Sequence, residues 1–207
     1  MKKVDVFNLA KESIHGGTLS PMLFDMWVNE IYKRAQRKLR KVDANRDVVE
    51  KMIALTTTLN KYTLEADTGL ILEVYYYDNS NPHFDKEDRK IVIPPTDVVE
   101  TRGQTGLRCY RIGDVLHFRG IEKDISEVFI VCRTKLHRLK NDEDDLKLDD
   151  SSDAGFLVSY VLGKYYMTEN METNGREYLQ ESELLLKELV ASIETQKKQK
   201  SMYLKAS

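Results

Sequence analysis

The stretch 128–166, VFIVCRTKLHRLKNDEDDLKLDDSSDAGFLVSYVLGKYY, changes its hydrophobic period partway along, and that change limits the folds open to the chain. Residues 128–133 are a β-branched and aromatic run of strand length. A strongly acidic turn follows at 141–150. Beyond it Phe156, Leu157, Tyr160, Val161 and Tyr165 recur at helical spacing, with Asp153 placed to cap the new helix. The chain therefore closes a β-rich middle and re-enters helix.

The residues before that middle also read as helix. Over 3–14, Val4, Phe7, Ala10 and Ile14 form a short amphipathic face, and His15-Gly16-Gly17 stops it, because glycine accepts the positive φ of a helix end. Ser20-Pro21 restarts one: serine caps exposed amides, and proline fits the first helical position, where a missing N–H costs nothing. This second helix is expected to run to about Lys41, with Leu23, Trp27, Ile31, Ala35 and Leu39 down one side. A third helix is expected over 45–59, carrying Val48, Val49, Met52, Ile53 and Leu59, although Thr56, Thr57 and Thr58 disfavour it.

From Tyr62 the pattern changes to short runs at 70–77, 91–93, 106–111, 115–118 and 128–133, divided by turn residues. Residues 110–118 read as a hairpin turning at Gly113-Asp114, and such spacing suits a small antiparallel sheet or sandwich. A last helix starts near Asn174, with Tyr178, Leu179, Leu185, Leu186, Leu189 and Ile193 repeating. After 195 the apolar period is lost, and 196–207 reads as a basic tail, free in the monomer. The fold class implied is α+β: mainly a helical bundle from the N- and C-terminal helices, with a small antiparallel β module inserted. The parts are 1–61, the β module 62–140, a helical part 141–195 and the tail 196–207.

At 207 residues, folding buries roughly 70% of the unfolded chain's surface, enough for a core without staples. A net charge of -2 gives no global reason to expect nucleic-acid binding. Cys109 and Cys132 fall in strand-like runs without metal-ligand spacing, which points to buried thiols in a reducing compartment. His15, His83, His117 and His137 are scattered, and no phosphate-cradling loop or nucleophile elbow is present. No catalytic, cofactor-binding or metal-binding residue is assigned, and the expectation is a chain that is not an enzyme. No apolar run approaches the ~18 residues of a membrane span, so no membrane partner is expected.

Two charged groups remain as candidate contacts. Lys33, Arg34, Arg37, Lys38, Arg40 and Lys41 follow one another without an intervening acid, and at 100° per residue they cover an arc of roughly 160° opposite Ala35 and Leu39. That face suits an acidic neighbouring subunit or DNA phosphates. The acids Asp142, Glu143, Asp144, Asp145, Asp149, Asp150 and Asp153 lack the order of a calcium loop and read as a solvated, helix-capping turn or a docking surface for a basic partner.

Several passages together resemble the head-to-tail adaptor (connector, or ring) proteins of short-tailed bacteriophages, including those of the crAss-like phages. They are the N-terminal helices joined by Gly16-Gly17-Thr18-Leu19-Ser20, the run Ile91-Val92-Ile93-Pro94-Pro95-Thr96-Asp97, the 110–118 hairpin and the 148–166 passage. In the last of these, Phe156 and Gly163 stand where that family has alanine. The chain departs from the pattern at 70–89, with an extra Tyr-rich strand, and at Val98-Val99. The resemblance implies a virion structural protein, assembled in a host cytoplasm and located at the neck. There it would form a ring of about twelve copies beneath the portal, bound to the portal protein and to a tail or second ring protein, with DNA passing through the lumen. It also implies portal docking by the C-terminal tail, here Lys197, Lys198, Lys200, Met202, Tyr203, Leu204 and Lys205. The alternative is a phage or bacterial DNA-binding or regulatory protein that uses the basic helix 33–41.

Overall fold

The computed structural model describes residues 1–56, 60–77, 89–92, 106–121, 127–148 and 154–206, with backbone alone for 89–92 and 199–206. The chain divides into two units, Met1–Ala44 with Leu136–Ser207, and Asn45–Lys135. Among the described residues they hold four helices and two small antiparallel sheets, an α+β fold.

In the first unit, α1 (Lys3–Ser13) ends before Gly16, whose φ of 76° is the left-handed conformation expected of the Gly-Gly stop. Gly17 matters for space rather than conformation, since a Cβ there would collide with the Tyr165 hydroxyl; the position must be bare for the tyrosine to pack. α2 (Pro21–Val42) begins with proline at its first turn as expected. Ser20 holds the capping position, yet its hydroxyl makes no capping hydrogen bond; the Phe24 amide donates to the Ser20 carbonyl at 2.9 Å. The buried side of α2 is broader than the expected ladder, since Phe24, Val28, Tyr32 and Gln36 join Trp27, Ile31, Ala35 and Leu39.

α3 (Gly155–Thr168) is buried on most of its circumference, as a helix apolar all round must be. Its capping position is Ala154, and Asp153, expected to cap it, lies outside the described residues. α3 packs against α1, against α2 and most extensively against α4 (Glu172–Ala206). The α3–α4 turn carries Asn170 at φ 61°, and the two helices approach closely where both have glycine. A Cβ at Gly163 would stand 2.7 Å from Leu179 Cγ and 3.0 Å from the Gly175 carbonyl oxygen. That is the physical content of Gly163 in this helix. The Ser182 hydroxyl, fully buried, donates to the Phe156 carbonyl at 2.7 Å, so a polar group inside the helix pair is satisfied.

In the second unit, the segment expected as a third helix is a strand, β1 (Val48–Ala54). Val48, Val49 and Ile53 are β-branched, and the segment pairs antiparallel with β7 (Glu127–Thr134), from Val48 opposite Arg133 to Ala54 opposite Glu127. Strand structure thus begins at Val48 rather than near 62, and 57–59 lie outside the described residues. With β3 (Thr68–Tyr77) and β4 (Arg89–Val92), these make a sheet of order β1-β7-β3-β4. β2 (Lys61–Thr63), β5 (Arg108–Ile112) and β6 (Val115–Arg119) make a second, ordered β2-β6-β5. The β5–β6 hairpin turns at Gly113-Asp114 as read from sequence, with Gly113 at φ 58°.

One core serves both sheets: Ile53, Val74, Val128, Ile130 and Cys132 from the first meet Cys109, Leu116 and Phe118 from the second. Both thiols are buried as expected, and burial pushes that of Cys109 up to about 12. On the other face of the larger sheet Tyr75 stacks on its cross-strand partner Phe129, ring centroids 5.1 Å apart, and donates its hydroxyl to Glu50 at 2.7 Å.

Gly163→Ala is expected to destabilise the protein by about 1–3 kcal/mol, because the added methyl overpacks against Leu179 and a backbone carbonyl. A urea melt followed by circular dichroism reads this as a lower midpoint; an unchanged midpoint would refute the close approach.

Candidate interaction surface

The charged groups singled out in sequence all lie on the helical unit, and the fold engages them unequally. On α2, Arg34 and Lys38, one turn apart, both pair with Glu183 of α4, Lys38 at 3.4 Å. Half-buried Arg40 has a partner as well. Lys33, Arg37 and Lys41 are exposed and make no ion pair among the described residues. The continuous cationic arc read from spacing is therefore divided: part of it fastens α2 to α4, and part faces solvent.

The acidic turn is engaged inside the chain. The Lys3 amide donates to the Asp144 carbonyl and the Val4 amide to the Asp142 carbonyl, each at 3.0 Å, and the Leu146 amide donates to the Met1 carbonyl. The turn thus supplies acceptors to the amides that open α1, where a helix leaves its own N–H groups without partners and favours negative charge. Asp144 also accepts from the amides of Lys140 and Asn141, at 2.6 and 2.9 Å, and these bonds hold its carboxyl below the usual aspartate range. Lys2 bridges to Glu143 at 2.5 Å.

Lys3 is the unusual member of this group, because its side chain is only 2% exposed. Its ammonium lies 2.7 Å from Asp25 on α2 and 3.3 Å from Asp142. Burial pulls its pKa down, but the two carboxylates outweigh that and hold it above the ordinary lysine value. Asp149, Asp150 and Asp153 lie outside the described residues.

An extended segment, 136–140, runs beside α2 with helix side chains as its hydrogen-bonding neighbours. The Asn29 side-chain amide donates to the Leu139 carbonyl at 3.0 Å and accepts from the Leu139 amide at 2.9 Å. Gln36, two turns further on, does the same for His137, at 2.8 and 2.7 Å. Between them the Tyr32 hydroxyl accepts from the Lys147 amide at 2.8 Å. On its solvent side α2 floors an open groove of about 1170 Å³, with this segment and Tyr160 also lining it. Met22 and Met26 stand in the groove 77% and 56% exposed. Sequence reasoning placed no function on these two methionines; their omission from the buried ladder was the available signal.

The residues expected to dock a portal occupy the far end of α4. The helix continues through Ala206, so 196–206 is helical rather than the free tail expected. Ile193 is the last buried residue among those whose side chains are described, and 194–198 are exposed. Lys197 bonds Asp43 at 2.5 Å, at the C-terminal end of α2, and Lys198 pairs with Glu194 at 3.0 Å. Lys200, Met202, Tyr203, Leu204 and Lys205 are placed by backbone alone. Among the described residues no helix is long and apolar enough to cross a membrane.

Two outcomes test the Lys3 clasp. Asp25→Asn with Asp142→Asn leaves a buried ammonium without a counter-charge and should cost about 3 kcal/mol, most of which Lys3→Met in the same background restores. If Lys3→Met restores nothing, the carboxylates act on the helix end instead. Asp144, whose carboxyl is held low in the folded state, stabilises the protein above the unfolded aspartate value of about 4 and loses that contribution as pH falls through its lowered folded value. The stability gap between the wild type and Asp144→Asn should accordingly be constant near neutrality and close on acidification, as read from denaturation midpoints at a series of pH values.

No protein-family model matches the chain, and no curated protein matches it significantly.

Proposed function

We propose that this chain is a ring-forming head-to-tail connector subunit of a phage virion, the reading implied by the resemblance of its passages to adaptor proteins. In this reading α1, α2, α3 and α4 act as the bundle that builds the ring wall, and the 45–135 unit is carried as an insertion. The observation that carries it is the overrun of α4. Its described core contacts end at Ile193, yet the helix continues through Ala206 with four lysines after 196. Residues 194–198 are exposed, so the basic end of the helix is presented to solvent in a monomer, where a partner can meet it.

The docking device is then a preformed helix rather than a coil that orders on binding. Less conformational entropy is lost on attachment, and portal affinity depends less on induced order. Exposed Lys33, Arg37 and Lys41 serve the second reading, phosphate binding by α2. Glu183 weakens that reading, because it already neutralises Arg34 and Lys38.

Sedimentation velocity of the chain with the portal ring of the same genome separates these readings. The connector reading expects about twelve copies to co-migrate with each portal, and expects deletion of 197–207 to abolish attachment while the circular dichroism of the rest is retained. Attachment that survives the deletion removes the docking role of α4. A chain that stays monomeric with the portal but binds duplex DNA, with affinity falling steeply as salt rises, is the regulatory protein instead.

A further inference from the structure

The two faces of the β2-β6-β5 sheet differ in kind. Cys109, Leu116 and Phe118 point into the core that the two sheets share. Successive side chains of a strand alternate between faces, and residues opposite one another in a ladder share a face. The outward face therefore carries Lys61 opposite His117, His117 opposite Tyr110, and Arg119 opposite Arg108. No acid stands at an outward position of these three strands. Asp114, at the hairpin turn, is paired with Arg111 at 3.4 Å.

One cation on this face is held in a defined pose. The rings of Tyr110 and His117 lie within 9° of parallel with centroids 5.0 Å apart, and the Arg119 guanidinium carbon stands over the Tyr110 ring, 5.1 Å from its centroid. Tyr110 is only 7% exposed, so its ring is a support rather than a contact surface. Arg119 is exposed, and a planar cation resting on an aromatic ring is pre-ordered at the surface. Lys61 is exposed too, and neither it nor Arg119 makes an ion pair among the described residues. Arg108 and Arg119 are like charges directly opposite in the ladder, a repulsion that an anion above them relieves. Ile112, on the same face, adds an apolar contact 53% exposed.

We infer that the outward face of the β2-β6-β5 sheet binds single-stranded nucleic acid without sequence preference. Lys61 meets backbone phosphates, Arg108 adds to the positive field beneath them, and a base stacks on the Arg119 guanidinium that Tyr110 supports, with Ile112 against the base or its sugar. An acidic peptide matches the charge but brings no planar group for the guanidinium, and a duplex keeps its base faces inside its own stack. Lys61 and Arg108 stand two strand spacings apart, roughly 10 Å, so the footprint is a few nucleotides. The inference goes beyond the connector reading and does not rest on it.

The test uses the full chain and fluorescein-labelled oligodeoxythymidylate about twelve nucleotides long, followed by fluorescence anisotropy. Binding is expected, weakening as salt rises. Lys61→Glu/Arg119→Glu should lose about tenfold or more in affinity, and Arg119→Lys several-fold although the charge is kept, while Lys33→Glu/Arg37→Glu on α2 binds as the wild type does. Cross-linking of a 5-iodouracil oligonucleotide to the unaltered protein, mapped by mass spectrometry, reads the same face without any variant that must fold. Cross-links are expected within 61–63 or 108–119, and cross-links confined elsewhere overturn the site. Absence of binding, or unchanged binding by Lys61→Glu/Arg119→Glu, overturns the inference, as does a loss seen only with the α2 variant. Full binding by Arg119→Lys, or competition by polyglutamate or duplex DNA equal to that of the unlabelled single strand, overturns the base stack and with it the choice of ligand.

Discussion

The pairing of β1 with β7 is the constraint on which the second unit depends. These strands are separated by most of the unit's sequence, yet seven residues of one lie opposite seven of the other. The Thr134 amide closes the ladder by donating to the Asp47 carbonyl at 2.9 Å, with Asp47 itself in the left-handed region at φ 60°. The two ends of the unit are thereby fixed next to each other, as an insertion into another fold requires. β7 also pairs with β3, so it is one of the two interior strands of the larger sheet.

That same pairing explains where sequence reading failed. Residues 48–53 show Val48, Val49, Met52 and Ile53 at spacings that also fit a helix face, and a window of local sequence contains nothing about β7. The β-branched residues hinted at strand, but the decisive partner was about eighty residues away in sequence. Where the deciding contacts are local, expectation and structure agree: the Pro21 start of α2, the Gly16 stop, the Gly113-Asp114 hairpin and the core side of α3 are all as read. Capping was legible in position but not in bond, since the Ser20 hydroxyl does not reach the amides below it.

The charged residues were legible as groups and illegible as partners. Spacing placed a cationic face on α2 and an acidic turn at 141–150. It could not reveal that Glu183, on a helix far along the chain, takes up two of the cations. Nor could it show that the acidic turn closes over the first residues of α1. Asn29, Tyr32 and Gln36 are the plainest case. Polar residues on the inward part of a helix look like flaws in an apolar stripe, yet here they are what holds an extended segment in place. A helix interior normally excludes strand partners because its own backbone groups are consumed; side-chain amides, with a donor and an acceptor on one short arm, reproduce the missing edge.

The C-terminal end of α4 shows how a lost apolar period differs from a lost helix. Past Ile193 hydrophobic spacing vanishes, and on patterning alone the helix should end. Glu, Lys and Gln are nevertheless good helix formers, and the pair Glu194–Lys198 has the favourable acid-before-base order at i, i+4. Each such term is worth only a few tenths of a kcal/mol, but extension of an existing helix needs no new nucleus, so small terms suffice. Lys197 adds a tether to Asp43 near the start of the overrun. Burial therefore determines where α4 packs, while propensity and propagation determine how far it continues. A basic segment beyond the core is consequently presented as a helix, and not as a coil that must first be ordered.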